Sequence, residues 1–152
     1  MDETKQPGLS VSQIFLSRAH FEHHPNFLSM PADAGAGKDQ APVKVQAKVA
    51  LSEDGSSGAI AISVTSDSED ALYRYEIEMM GLVSRDPDAN LPVRDFLLNN
   101  GPALLYPFLR EAVASITLRG RFGPNWLKPF NWKAVLPEAT GASAEAHAET
   151  NG

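Results

Sequence analysis

The sequence predicts an α+β domain in which a four-stranded antiparallel sheet carries two helices on one face. Three observations lead there. Apolar and polar residues alternate with a period of two in Val43–Leu51, Ile60–Val64 and Tyr73–Met79, the pattern of half-buried strands. The connections between these segments are short and rich in turn residues, which favours an antiparallel meander. Beyond Gly81 the apolar period lengthens to that of a helix.

The first element is a long strand from Val11 to Glu22, expected to place Phe15, Ala19 and Phe21 on one face and Ile14 and Leu16 on the other. Residues 25–42 form a Pro-, Ala- and Gly-rich loop, long enough to suggest function or mobility. In the second strand Val43, Val45, Val49 and Leu51 alternate with Lys44, Gln46 and Lys48; the run from Ser52 to Gly58 is a hairpin loop. Ile60, Ile62 and Val64 mark the third strand, Asp67–Asp70 a turn, and Tyr73, Tyr75, Ile77 and Met79 the fourth. Pro92 opens a short helix through Leu98, ended by Asn99-Asn100-Gly101. A longer helix spans 102–119 and stops at Gly120, with a core stripe of Leu105, Phe108, Leu109, Ala112, Val113 and Ile116. Pro107 predicts a bend or a late helix start. Leu104 and Leu118 fall beside that stripe, and together with Phe108 they are the candidates for contact with a second copy. A single sheet–helix layer pair of this size buries limited surface, so self-association is a natural supplement.

The 152 residues suit one domain, and 43% hydrophobic with 21% charged residues is an ordinary globular composition. The folded part is expected at 10–136, between disordered segments 1–9 and 137–152; the last holds no large apolar residue to offset its ordering entropy. Net charge is −6, divided as −5 over 1–85, +2 over 86–136 and −3 over 137–152. No basic stripe is present for nucleic acid. No apolar run reaches the roughly 18 residues of a membrane span, and none follows the acidic N-terminus as in a signal peptide. A cytoplasmic protein without membrane insertion is therefore expected. The absence of Cys excludes disulfides and thiolate chemistry.

No catalytic constellation is found, and no cofactor or metal is expected. His20, His23 and His24 cluster, but adjacent strand residues point apart and no set of converging ligands accompanies them. Gly35-Ala36-Gly37-Lys38-Asp39 lacks the Ser or Thr and the first Gly of a phosphate loop. The aromatic residues are more informative. Phe15, Phe21, Phe27, Tyr73, Tyr75, Phe122, Trp126, Phe130 and Trp132 are many for a small core. Phe27 and Leu28 lie on the long loop, and Trp126 and Leu127 in a Gly/Pro-rich segment, where apolar residues point to binding. Phe15, Phe27, Leu28, Tyr73, Trp126 and Leu127 are the candidates for a groove that binds apolar polypeptide.

Leu105-Tyr106-Pro107-Phe108-Leu109-Arg110-Glu111 resembles the Leu-Phe-Pro-aromatic-x-Arg-Glu helix of the SecB protein-export chaperones. Gly120-Arg121-Phe122, Leu127, Pro129 and Asn131-Trp132 follow at the spacing of that family's Gly-x-Phe and Leu-x-Pro-x-Asn-Phe segment. Phe21-Glu22 with Pro25-Asn26 resembles its Phe-Glu-x-Pro-Asn, with one residue inserted. The resemblance covers 13–132. It implies a SecB-like fold, a homotetramer built as a dimer of dimers, and an ATP-independent holdase that keeps unfolded preproteins soluble for SecA. Glu22 and Glu76 match acidic positions of the SecA-contacting sheet face, whereas Arg18 and Arg74 depart from the family pattern. The last helix is cut short where Trp132–Leu136 meets Pro137. Some SecB-like proteins instead protect one partner, such as the antitoxin of a toxin–antitoxin system, and this is the alternative role.

Overall fold

Pairing of the alternating segments produces one antiparallel sheet in a computed structural model that describes residues 8–37, 40–89, 92–131 and 143–146. The elements are β1 (Leu9–His23), β2 (Lys44–Leu51), β3 (Ser57–Ser66), β4 (Tyr73–Arg85), α1 (Val93–Asn99), α2 (Gly101–Thr117) and β5 (Ser143–Ala146), with a 3-10 turn at Phe27–Ser29. The sheet order is β1-β4-β3-β2-β5. The strands β2, β3 and β4 form the expected meander, but β1 pairs with β4 rather than with β2. Residues 24–43 must therefore carry the chain across three strand spacings, about 14 Å, which accounts for the length of that loop.

Four residues of the segment expected to be a disordered tail, Ser143–Ala146, pair with Val45–Lys48 of β2. Main-chain pairing of this kind needs no large side chain. Residues 1–7, 132–142 and 147–152, with Trp132 and the end of the predicted folded part among them, lie outside the described residues. No helix among the described residues is long and apolar enough to cross a membrane.

The core lies between the sheet and the two helices. Ile60, Ile62, Val64, Tyr75 and Ile77 on the sheet meet Leu105, Leu109 and Val113 of α2 and Val93 and Leu97 of α1. The buried side of α2 is Leu105, Tyr106, Leu109, Val113, Ala114 and Thr117, turned from the predicted stripe: Phe108 is 46% exposed. The helix is apolar on nearly every side, so periodicity cannot choose the inward one. Tyr106 qualifies because its hydroxyl donates to the Lys128 carbonyl, which satisfies the polar end of a buried ring. Pro107 lies inside α2, which already begins at Gly101, so the expected late start does not occur. Pro107 and Ala103 are both exposed, so the carbonyl at Ala103 that loses its donor can be hydrated.

In β1 the two-residue period is interrupted twice, between Val11 and Gln13 and between Leu16 and Arg18. Each irregularity switches the side-chain parity. Ile14, Leu16, Ala19 and Phe21 pair with Gly81, Met79, Ile77 and Tyr75 and so share the helix-covered face. Phe15 pairs with Met80 on the opposite face. The predicted grouping of Phe15 with Ala19 and Phe21 is thus corrected by a bulge that no local composition signals.

The β2–β3 hairpin is held by Asp54, whose carboxylate accepts the Ser56 N–H at 3.0 Å and the hydroxyls of Ser56 and Ser52 at 2.7 and 2.8 Å. Donation from the Ser56 backbone, then from the two hydroxyls, lowers its pKa to about 2. A depressed folded-state pKa contributes stability above the unfolded-state value, and the contribution is lost as pH falls through the folded one. The Asp54 side-chain carbonyl should therefore titrate by NMR with a midpoint about 2, and hairpin amide protection should fall with it. A midpoint at the ordinary 3.8 would mean that the loop is not closed this way.

Candidate functional site

At the end of the sheet where β4 begins, two loops stand over the strands and enclose a cavity of about 740 Å³. One wall comes from the long crossing loop (Met30, Ala34, Gly35, Gln40–Pro42), the other from the segment after α2 (Phe122, Pro124, Asn125); Ser66, Tyr73 and Tyr75 form the floor. Burial raises the phenol pKa of Tyr73 and pushes that of Tyr75 up to about 12, so the floor is uncharged near neutral pH.

The segment after α2 has no regular structure, and its main chain is held by side chains from elsewhere. The Tyr73 hydroxyl accepts the Phe122 N–H at 2.7 Å and donates to the Gly123 carbonyl at 2.8 Å. The Thr117 hydroxyl accepts the Asn125 N–H at 2.8 Å. The Arg110 guanidinium donates to the Leu127 carbonyl at 2.8 Å. Gly120 is needed here, because a Cβ would stand 2.5 Å from the Tyr73 ring, and Gly123 has a positive φ of 82°. Two further bonds tie the walls together: Gln40 Nε2 to the Trp126 carbonyl at 3.1 Å and Arg121 Nη2 to the Met30 carbonyl at 2.8 Å. Below them the rings of Phe21, His23, Phe27, Tyr73 and Phe122 form a cluster.

The predicted groove residues are distributed unevenly. Tyr73 is in the cavity floor but only 1% exposed, and Leu127 is a core residue at 3%. They support the walls rather than present free surface. Phe27 is half-buried beside the His23 ring. Leu28 is 79% exposed and Trp126 50%, the latter with the Arg110 guanidinium 5.0 Å from its ring. Both flank wall residues in sequence, Leu28 near Met30 and Trp126 next to Asn125. Phe15, on the other face of the sheet, is separated from the cavity. Met30 stands out in the sequence as an apolar residue of the long loop, but Gln40, Arg121 and Asn125 carry no such signal; the Gln40–Trp126 and Arg121–Met30 bonds that make wall elements of them span 86 and 91 positions.

Glu22 and Glu76 occupy the uncovered sheet face, paired in register with Arg74 and His20. Arg18 reaches Glu76 at 2.5 Å and Glu78 at 3.6 Å, so Glu76 is neutralised within the chain. Exposed pairs of this type contribute about 0–1 kcal/mol to stability; their effect is on surface potential. Leu104 is half-buried, whereas Phe108 and Leu118 are exposed, Leu118 to 63%. At 100° per residue the three share the side of α2 turned away from the sheet.

The family described as "Preprotein translocase subunit SecB" matches residues 2–142. Relatives include the protein-export protein SecB of Neisseria meningitidis serogroup C (strain ATCC 700532 / DSM 15464 / FAM18), 28% identical over 95% of this chain and 98% of its own. That of Ruegeria pomeroyi is 30% identical over 82% and 81%. Among solved structures, a SecB-like chaperone of Mycobacterium tuberculosis, in complex with a ChAD peptide from the HigA1 antitoxin, superposes with a TM-score of 0.61. It is 18% identical, and the match covers 82% of this chain and 88% of that one.

Proposed function

This chain belongs to the SecB family, and from that starting point we propose that it is an ATP-independent holdase that keeps unfolded preproteins soluble and passes them to SecA. The observation that carries the reading is the clasped cleft between the crossing loop and the segment after α2, with Leu28 and Trp126 exposed on the same two loops. The neutral phenols of Tyr73 and Tyr75 on its floor, with Asp70 also on the lining, suit binding and release. An extended client would bury apolar side chains there at about 25 cal/mol per Å². Phe27 and Tyr73 would support that surface from beneath. Phe15 would act only in an assembly that brings a second surface to the uncovered sheet face.

Leu104, Phe108 and Leu118 would be covered by another copy, in a homotetramer built as a dimer of dimers. Several clefts on one assembly would then hold one client at once, converting weak contacts into avidity. Glu22 and Glu76 would be the SecA contacts on the uncovered sheet face.

A second reading, service to one partner such as an antitoxin, is favoured by one observation: the Arg18 bridge to Glu76 and Glu78 weakens the acidic character of that face. Light scattering with a denatured client separates the readings. The protein without nucleotide should suppress aggregation, and SecA should form a complex of larger mass with it. Failure to suppress aggregation, or a strict need for ATP, would overturn the holdase. Suppression with no SecA complex would favour the dedicated role.

A further inference from the structure

We propose that His23 is a positioning residue for the cleft and that its protonation speeds the release of a bound client. The inference rests on the binding reading above and concerns its regulation. The His23 ring sits at the end of β1 among Phe21, Phe27, Tyr73 and Phe122. Its Nε2 accepts the backbone N–H of Arg121 at 3.0 Å. An acceptor nitrogen carries no proton, so this bond exists only for the neutral ring. One residue on, the Phe122 N–H is held by the Tyr73 hydroxyl. Two successive amides of the same wall are thus fixed by side chains of two strands. The Arg121 side chain extends from that point to the Met30 carbonyl and joins the two walls.

Protonation would set an N–H donor against the Arg121 N–H. Both cannot remain in place. The surroundings supply no relief. From β4 the facing titratable group is the Tyr73 phenol, which burial keeps neutral. From the segment after α2 it is Arg121, and the 3-10 turn contributes the uncharged Phe27. Phe21 is the neighbour on β1, while His20 and Glu22 belong to the other sheet face. Among the described residues no carboxylate forms an ion pair with His23. The wall must move, and the Arg121–Met30 bond moves with it. His24, the neighbouring histidine, is bonded differently: its Nδ1 accepts the Asn26 N–H and its Nε2 meets the Glu69 carbonyl. It touches neither wall amide of the 121–122 pair.

The experiment follows the off-rate of a fluorescently labelled, permanently unfolded polypeptide without histidine from the full-length protein. It compares about pH 7.5 with about pH 5.5, the span over which imidazoles take up a proton. The off-rate should rise about fivefold on acidification, the scale of one lost hydrogen bond. His23→Gln places a non-titrating oxygen where Nε2 was, so it should release slowly at both pH values. His23→Ala should release fast at both. The protection factor of the Arg121 amide, its exchange rate divided into the intrinsic rate at the same pH, should fall on acidification in the parent and not in His23→Gln. A flat off-rate in the parent, or an undiminished pH response in His23→Gln, would overturn the inference while leaving the binding reading intact. Absence of binding at the higher pH would instead overturn the binding reading, and the inference with it.

Discussion

Replacing Trp126 and Leu28 together by alanine should weaken the binding of unfolded polypeptide by about 30-fold, the consequence of losing two exposed apolar anchors worth roughly 1 kcal/mol each. Both side chains are exposed on the loops that form the cleft walls and lie outside the core. Far-UV circular dichroism and the denaturation midpoint should stay close to the parent values, while fluorescence anisotropy with a labelled unfolded client reports the loss. Leu127 is unsuitable for this purpose although it neighbours Trp126, because it is packed in the core. Its truncation would mix a folding defect with a binding defect. Unchanged affinity in the double variant would move the client surface away from the two loops. Truncation of Trp126 also frees the Arg110 guanidinium from the indole. That cation–π contact is worth about 0.5–1 kcal/mol at an exposed site, which is small beside the loss on the client side.

Leu109→Ala should cost about 2–5 kcal/mol of folding stability, the measured range for cavities left by buried leucines. Leu109 is fully buried between α2 and the sheet, and a domain has only about 5–15 kcal/mol to lose. The neighbouring Phe108→Ala provides the contrast. Phe108 faces away from the sheet, so its loss should leave the protomer stable and act on association instead. Urea denaturation at several protein concentrations distinguishes the two. The Leu109 defect should persist at every concentration, and any Phe108 defect should grow on dilution. A Phe108 variant less stable than the Leu109 variant at every concentration would mean that the inward side of α2 is the one the simple periodicity suggested.

That contrast also marks how far the sequence is legible. The alternation in β2, β3 and β4 and the helical signals after Pro92 lead directly to the observed elements, because each depends on residues near in the chain. The helix-and-loop motif from Leu105 onward pointed to the family, and the chain belongs to it. The inward side of α2 was not legible, because apolar residues surround the helix and Tyr106 turns inward through tertiary contacts such as its bond to the Lys128 carbonyl. The face of Phe15 was lost at an irregularity between Leu16 and Arg18. The place of β1 beside β4 depends on where a long loop leads, which composition does not encode.

The candidate site divides in the same way. Leu28 and Trp126 are candidates because large apolar residues stand out in loops, and both are exposed. Leu127 is a candidate for the same reason and Tyr73 as one of the many aromatic residues, and both are buried. Gln40, Arg121 and His23 were not recognised as wall elements, since their importance lies in single hydrogen bonds to distant main chain.

Local patterning was therefore sufficient for the kind of protein this is: strands, helices, a family and a set of exposed apolar loop residues. Folding in three dimensions alone settled which sides of β1 and α2 turn inward and which side chains tie the two loops together over the cleft. The reason is one of range. Periodicity is a property of neighbours along the chain, whereas a hydrogen bond such as that from Arg121 to His23 spans 98 positions and exists only once the sheet and helices have brought its two ends together.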